Sequence, residues 1–111
     1  LKLATRQDYK SGQALCYQAL LYAACDRPSV RNGPKALELA KEACERTDSK
    51  DWQCLYALAA AQAECEDFDA AIESITAAAE LAPKEHSQIC LELVQQYRSA
   101  EPLYLPEGPP F

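Results

Sequence analysis

Apolar residues in this chain recur three and four positions apart, and nowhere do they alternate as in a half-buried strand. The pattern predicts five helices. The first runs from about Ser11 to Cys25, with Leu15, Ala19, Tyr22 and Ala23 at helical spacing. Asp26-Arg27-Pro28 ends it, because the residue before a proline avoids helical backbone angles. Ser29 to Gly33 reads as a loop. Asn32 or Gly33 caps the second helix, and Pro34 sits in its first turn, where a missing N–H loses nothing. This helix continues to about Arg46 through Ala36, Leu37, Leu39, Ala40, Ala43 and Cys44. Asp48, Ser49 and Asp51 offer caps for a third helix, about Lys50 to Cys65. Asp67 caps a fourth, about Phe68 to Leu81, and Pro83 opens a fifth, about Lys84 to Ala100. Residues 1–10 read as a linker or lead-in. Residues 101–111, EPLYLPEGPPF, hold four of the seven prolines and read as an extended tail.

The helical runs repeat. Setting Cys25 against Cys65 brings Leu15 onto Leu55, Ala19 onto Ala59 and Ala23 onto Ala63, an offset of 40. Beyond the break, Ala36 falls on Ala71, Ala40 on Ile75 and Ala43 on Ala78, an offset of 35. The first turn therefore carries a five-residue insertion. A period of this size predicts an all-α stack of helical hairpins, one over 11–47 and one over 48–83, closed by a last helix over 84–100. Ala57, Ala59, Ala60, Ala61 and Ala63 give the third helix very small sides, so its neighbours can approach closely. Glu85, Gln88, Glu92, Gln95 and Gln96 give the fifth a polar outer face suited to capping.

Leu58-Ala59, Ala71, Ile75, Ala78 and Pro83 resemble the tetratricopeptide repeat, and DFDAAIESITAAAELAP is the most specific stretch. The large and small residues beside one another, the small–bulky–small order of the second helix and the closing proline all fall in place. Gln62 departs from the usual aromatic, and Glu66 departs from the glycine common between the paired helices, which predicts strain in that turn. The first repeat matches more weakly, with Gln18 where a large residue is expected. LYAACDRPSVRNGPKALELAKEACE resembles a recurrent bacterial variant with a long first turn, a unit that often follows a catalytic or sensor domain. The resemblance implies an α-α superhelix with a shallow groove lined by the first helix of each repeat. Its lining would be Gln13, Cys16, Leu20, Ala23 and Ala24, then Gln53, Tyr56, Ala60, Ala63 and Glu64. Leu20 and Tyr56 lie off the stripes between helices, so they are expected exposed or buried against a second copy. The lysine and asparagine set with which some relatives clamp a terminal carboxylate is absent, so an apolar helix or extended peptide is the expected ligand.

Composition narrows the function. The 111 residues suffice for one modest core, and half are apolar. No apolar run is long enough to cross a membrane. The chain contains no methionine, which predicts a piece excised or processed from a longer protein. Net charge is −6, which argues against nucleic acid as the partner. The charge is divided: residues 1–50 carry +3 and residues 51–111 carry −9. That asymmetry could orient a protein partner or favour head-to-tail self-association.

Six cysteines, at 16, 25, 44, 54, 65 and 90, all fall in helical pattern without a CxxC. They read as small apolar residues in a reducing, cytoplasmic setting. Cys16 lies level with Cys44, Cys44 lies level with Cys54, and Cys25 and Cys65 end equivalent helices, so each pair is a disulfide candidate. His86, the only histidine, stands four residues before Cys90; together they could supply two metal ligands or an activated thiol. With three glycines there is no phosphate-cradling loop, and no cofactor or catalytic constellation is evident. The sequence thus predicts a non-enzymatic protein- or peptide-binding scaffold, with self-association or a thiol module as alternatives.

Overall fold

Among the described residues five helices form, three of them where a capping side chain precedes an apolar repeat, and the turns between them bring those repeats together. The computed structural model describes residues 6–25, 27, 29–105 and 111. Its helices are α1 (Arg6–Ala24), α2 (Gly33–Arg46), α3 (Trp52–Glu64), α4 (Phe68–Leu81) and α5 (Lys84–Arg98). Among the described residues there is no strand, so the fold is all-α. α1 begins five residues earlier than the pattern predicts: residues 6–10, read as a lead-in, are its first turns. The remainder of that lead-in, residues 1–5, lies outside the described residues. α3 starts at Trp52 rather than Lys50, because Asp51 is its cap.

The caps are explicit. The carboxamide oxygen of Asn32 accepts from the Lys35 N–H at 3.1 Å, a carboxylate oxygen of Asp51 from the Gln53 N–H at 2.9 Å, and one of Asp67 from the Ala70 N–H at 3.3 Å. Each satisfies one of the orphan donors of a first turn. The other ends are less usual. α2, α3 and α5 each close with paired 6→1 and 5→2 backbone bonds: Ser49 to Cys44 and Asp48 to Glu45, Asp67 to Gln62 and Glu66 to Ala63, Glu101 to Gln96 and Ala100 to Tyr97. That closure needs a left-handed residue, for which glycine is favoured. Here Asp48 (φ 54°), Glu66 (φ 65°) and Ala100 (φ 58°) fill the position, with Ser49 (φ 56°) following Asp48. The strain expected at Glu66 is present, and two other helix ends share it.

Packing follows the repeat. Five of the pairs equated by the sequence offset are buried on both sides, Ala19 and Ala59, Ala23 and Ala63, Ala36 and Ala71, Ala40 and Ile75, Ala43 and Ala78, while Cys25 and Cys65 are both half-buried. Leu15 is half-buried where Leu55 is buried. Each helix packs on its neighbour in the chain, and α1 also packs on α3. α3 is consequently enclosed, and its five alanines are all buried. Where the repeat resemblance expects an aromatic, Gln62 instead accepts a hydrogen bond from the Ser74 hydroxyl at 2.7 Å, tying α3 to α4. The closest approach is between α1 and the end of α2. Gly12 is buried there, and a methyl group in its place would lie 2.7 Å from the Thr47 γ-methyl and 3.2 Å from the Ala43 carbonyl oxygen. The polar face foreseen on α5 is outward, with Glu85, Gln88, Glu92 and Gln95 exposed.

Candidate functional site

The groove positions divide into three groups. Gln13 is exposed. Gln53 and Glu64 are half-buried, and Glu64 pairs with Arg31 of the inserted loop at 3.9 Å. The rest are buried: Cys16, Leu20 (2% exposed), Ala23, Ala24, Tyr56 (1%), Ala60 and Ala63. An open lining was expected; most of these side chains are covered instead. Cys16 faces α3 rather than the outside, its thiol donating to the Gln53 carbonyl at 3.1 Å. The Cys54 thiol donates in the reverse direction, to the Gly12 carbonyl at 3.8 Å.

The chain's own segment after α5 reaches two of these positions, Ala24 and Tyr56. At its root the Gln96 side-chain amide donates to the Pro102 carbonyl at 2.7 Å. The next residues alternate: Leu103 is buried, Tyr104 is exposed and Leu105 is half-buried, the period of an extended chain lying on a surface. The Leu105 N–H donates to the Ala24 carbonyl at 3.0 Å. Ala24 is the last residue of α1, so this bond satisfies a carbonyl that the helix leaves orphaned. Residues 101–105 are neither helix nor strand, and Leu105 docks on the end of α1 rather than trailing. Residues 106–110 lie outside the described residues.

Phe111 sits in a box of aromatic rings. Its centroid is 5.0 Å from Trp52 and 5.3 Å from Tyr56, both edge-to-face, and 5.9 Å from Tyr17. Trp52 and Tyr56 belong to α3, where a spacing of four places them on one face. Tyr17 comes from α1. His86 of α5 stacks on Trp52 at 5.0 Å and 23°. Sequence reasoning placed Tyr56 in the site but missed Tyr17, Trp52 and Phe111.

The thiols are placed for packing. Cys16, Cys44, Cys54, Cys65 and Cys90 are unbridged, and the Cys25 sulfur accepts from the Arg27 N–H at 3.4 Å. None of the three foreseen pairings forms; the sulfur that meets Cys16 is that of Cys54. The interaction with Cys54, which keeps the shared proton on Cys16, followed by burial, pushes the Cys16 thiol far above its ordinary value. Burial pushes Cys44 up to about 12 and Cys90 up to about 11. An activated nucleophile shows the opposite shift, so the His86–Cys90 spacing yields an inert thiol at neutral pH. Among the described residues, no group of three or more histidine, cysteine or carboxylate side chains could hold a metal ion. Among the same residues, no helix is long and apolar enough to cross a membrane.

No protein-family model, curated protein or solved structure matches this chain.

Proposed function

We propose that this chain is a non-catalytic protein-interaction module: two tetratricopeptide-like hairpins, bacterial in type, with α5 as the cap. Its working surface is the face formed by α1 and α3, and its ligand is an extended peptide segment of another protein. The observation that carries this reading is the chain's own residues 103–105 and 111, seated on that face as a peptide ligand would be. Apolar burial supplies the affinity, at about 25 cal/mol per Å² removed from water. Two hairpins offer a small area, so the module works best beside further domains or binding elements. The buried, unbridged Cys16, Cys44, Cys54 and Cys90 fit a reducing compartment such as the cytoplasm.

Affinity capture with the full chain as bait tests this reading. Tyr17 is 45% exposed, so Tyr17→Glu leaves the interior intact while placing a charge at the rim of the face. The proposal requires that this variant, with an unchanged circular dichroism spectrum, lose the proteins captured by the parent chain. An identical set from both baits would refute it.

A further inference from the structure

We propose that the box of Tyr17, Trp52 and Tyr56 is the specificity pocket of this face and reads an aromatic side chain on an extended partner peptide, in the place now filled by Phe111. The proposal rests on the peptide-binding reading above and names what the peptide must carry.

Two features of the bound segment define the ligand. The first is the ring. Phe111 meets Trp52 at 74° and Tyr56 at 89°, the edge-to-face arrangement that ring quadrupoles favour and that aliphatic side chains cannot reproduce. His86 stacks on Trp52 at 5.0 Å, which restrains the indole that forms one wall of the box. The second is the anchored stretch at the other end of α1. Leu103 is 6% exposed there, and the Leu105 amide is bonded to Ala24. A peptide held at both places runs antiparallel to α1, from the Ala24 end towards Tyr17. Those two residues are seven apart, about 10 Å along the helix axis. An extended chain covers that distance in about three residues, whereas the chain's own segment takes six between Leu105 and Phe111. The ligand is therefore a leucine pair two apart, followed three to six residues later by an aromatic ring.

The chain's own segment leaves part of the strip bare. Leu21, one turn along α1 from Tyr17, is 53% exposed, and Tyr17 itself remains 45% exposed beside Phe111. A partner peptide in the same course has this apolar strip still to cover. The tethered segment competes at the high effective concentration of an intramolecular ligand, so a partner displaces it only by making more contact.

The test uses the full chain and its Phe111→Ala variant. Two fluorescein-labelled probes are titrated by anisotropy: a peptide of residues 101–111, and the same peptide with its phenylalanine replaced by alanine. The Phe111→Ala chain is expected to bind the first probe about tenfold more tightly than the parent chain does, and about tenfold more tightly than it binds the second probe. Adding Tyr17→Ala to the Phe111→Ala chain is expected to remove that preference. Equal binding of both probes overturns the aromatic pocket while leaving the peptide-binding face in place. Failure of the Phe111→Ala chain to bind either probe overturns both. Light scattering that shows the parent chain as a dimer, and the Phe111→Ala chain as a monomer, makes a second copy the occupant and overturns the partner assignment.

Discussion

Gly12→Ala is an instructive perturbation because two effects of opposite sign meet at one methyl group. In an exposed helix interior the change stabilises by about 1 kcal/mol, since alanine is the better helix former. Here the new Cβ lies 2.7 Å from the Thr47 γ-methyl and 3.2 Å from the Ala43 carbonyl oxygen. Neither neighbour can yield easily. The carbonyl belongs to the backbone of α2. Thr47 is fully buried and held by its hydroxyl, which donates to that same carbonyl at 3.0 Å. α1 must therefore move away from the end of α2, and overpacking of this kind costs about 1–3 kcal/mol. Set against the propensity gain, the expected net loss is about 1 kcal/mol, or about 4 °C in the midpoint of thermal unfolding. Thr47→Ser removes the γ-methyl and keeps the hydroxyl bond, so Gly12→Ala on that background should be near neutral. The double-mutant cycle then gives a coupling of about 1 kcal/mol. Thermal unfolding followed by circular dichroism provides all four midpoints. If Gly12→Ala raised the midpoint of the parent chain, the close α1–α2 approach would be wrong.

Four further outcomes are expected. Glu66→Gly and Ala100→Gly each relieve a left-handed non-glycine residue at a helix end and should stabilise by about 1 kcal/mol in urea unfolding; a loss at either site would contradict the closure described. Tyr97 is buried, and its hydroxyl lacks a hydrogen-bond partner within the fold, so Tyr97→Phe should leave stability unchanged or raise it by about 1 kcal/mol; a fall would mean that the hydroxyl is satisfied. Burial raises the Cys90 thiol to about 11, so its folded state favours the proton; that stability is complete below about pH 9 and lost as pH rises to about 11, and the unfolding midpoint should fall across that window in the parent chain more than in Cys90→Ala. Under native conditions a thiol reagent at mildly alkaline pH should modify Cys65 well before Cys16, Cys44, Cys54 or Cys90, and unfolding should abolish the difference; prompt labelling of Cys54 would show that α1 and α3 are not closed over it.

The helices were legible where the sequence uses short-range chemistry. Asn32, Asp51 and Asp67 are caps because a short acceptor stands just before an apolar repeat. The alanine pairs were legible because two stretches of the chain solve the same packing problem, so each position can be checked against its counterpart. The start of α1 was not, because Arg6 to Lys10 hold a single apolar residue, Tyr9, too few to announce a helix. The site was half legible. Tyr56 and Leu20 stood out as apolar positions off the stripes, yet the ring that meets Tyr56, Phe111, lies far along the chain. Proline content drew attention to the backbone of residues 101–111 and away from their side chains. The signal was nevertheless there: Leu103 and Leu105 alternate with Tyr104, and an aromatic ring follows at 111. The pairing of Cys16 with Cys54 was missed for a related reason. Level positions in a hairpin are easy to count, but the meeting of α1 with α3 depends on how one hairpin settles against the next.

The central claim is that an extended segment of this chain occupies the face of α1 and α3 with a phenylalanine in an aromatic box. Proton NMR tests it most directly, because Trp52 is the only tryptophan and its indole signals are unique. The account predicts nuclear Overhauser cross-peaks from the Phe111 ring to the Trp52 indole and the Tyr56 ring, together with slow hydrogen exchange at the Leu105 amide. Unperturbed Phe111 shifts, no cross-peak to Trp52 and a rapidly exchanging Leu105 amide would contradict it.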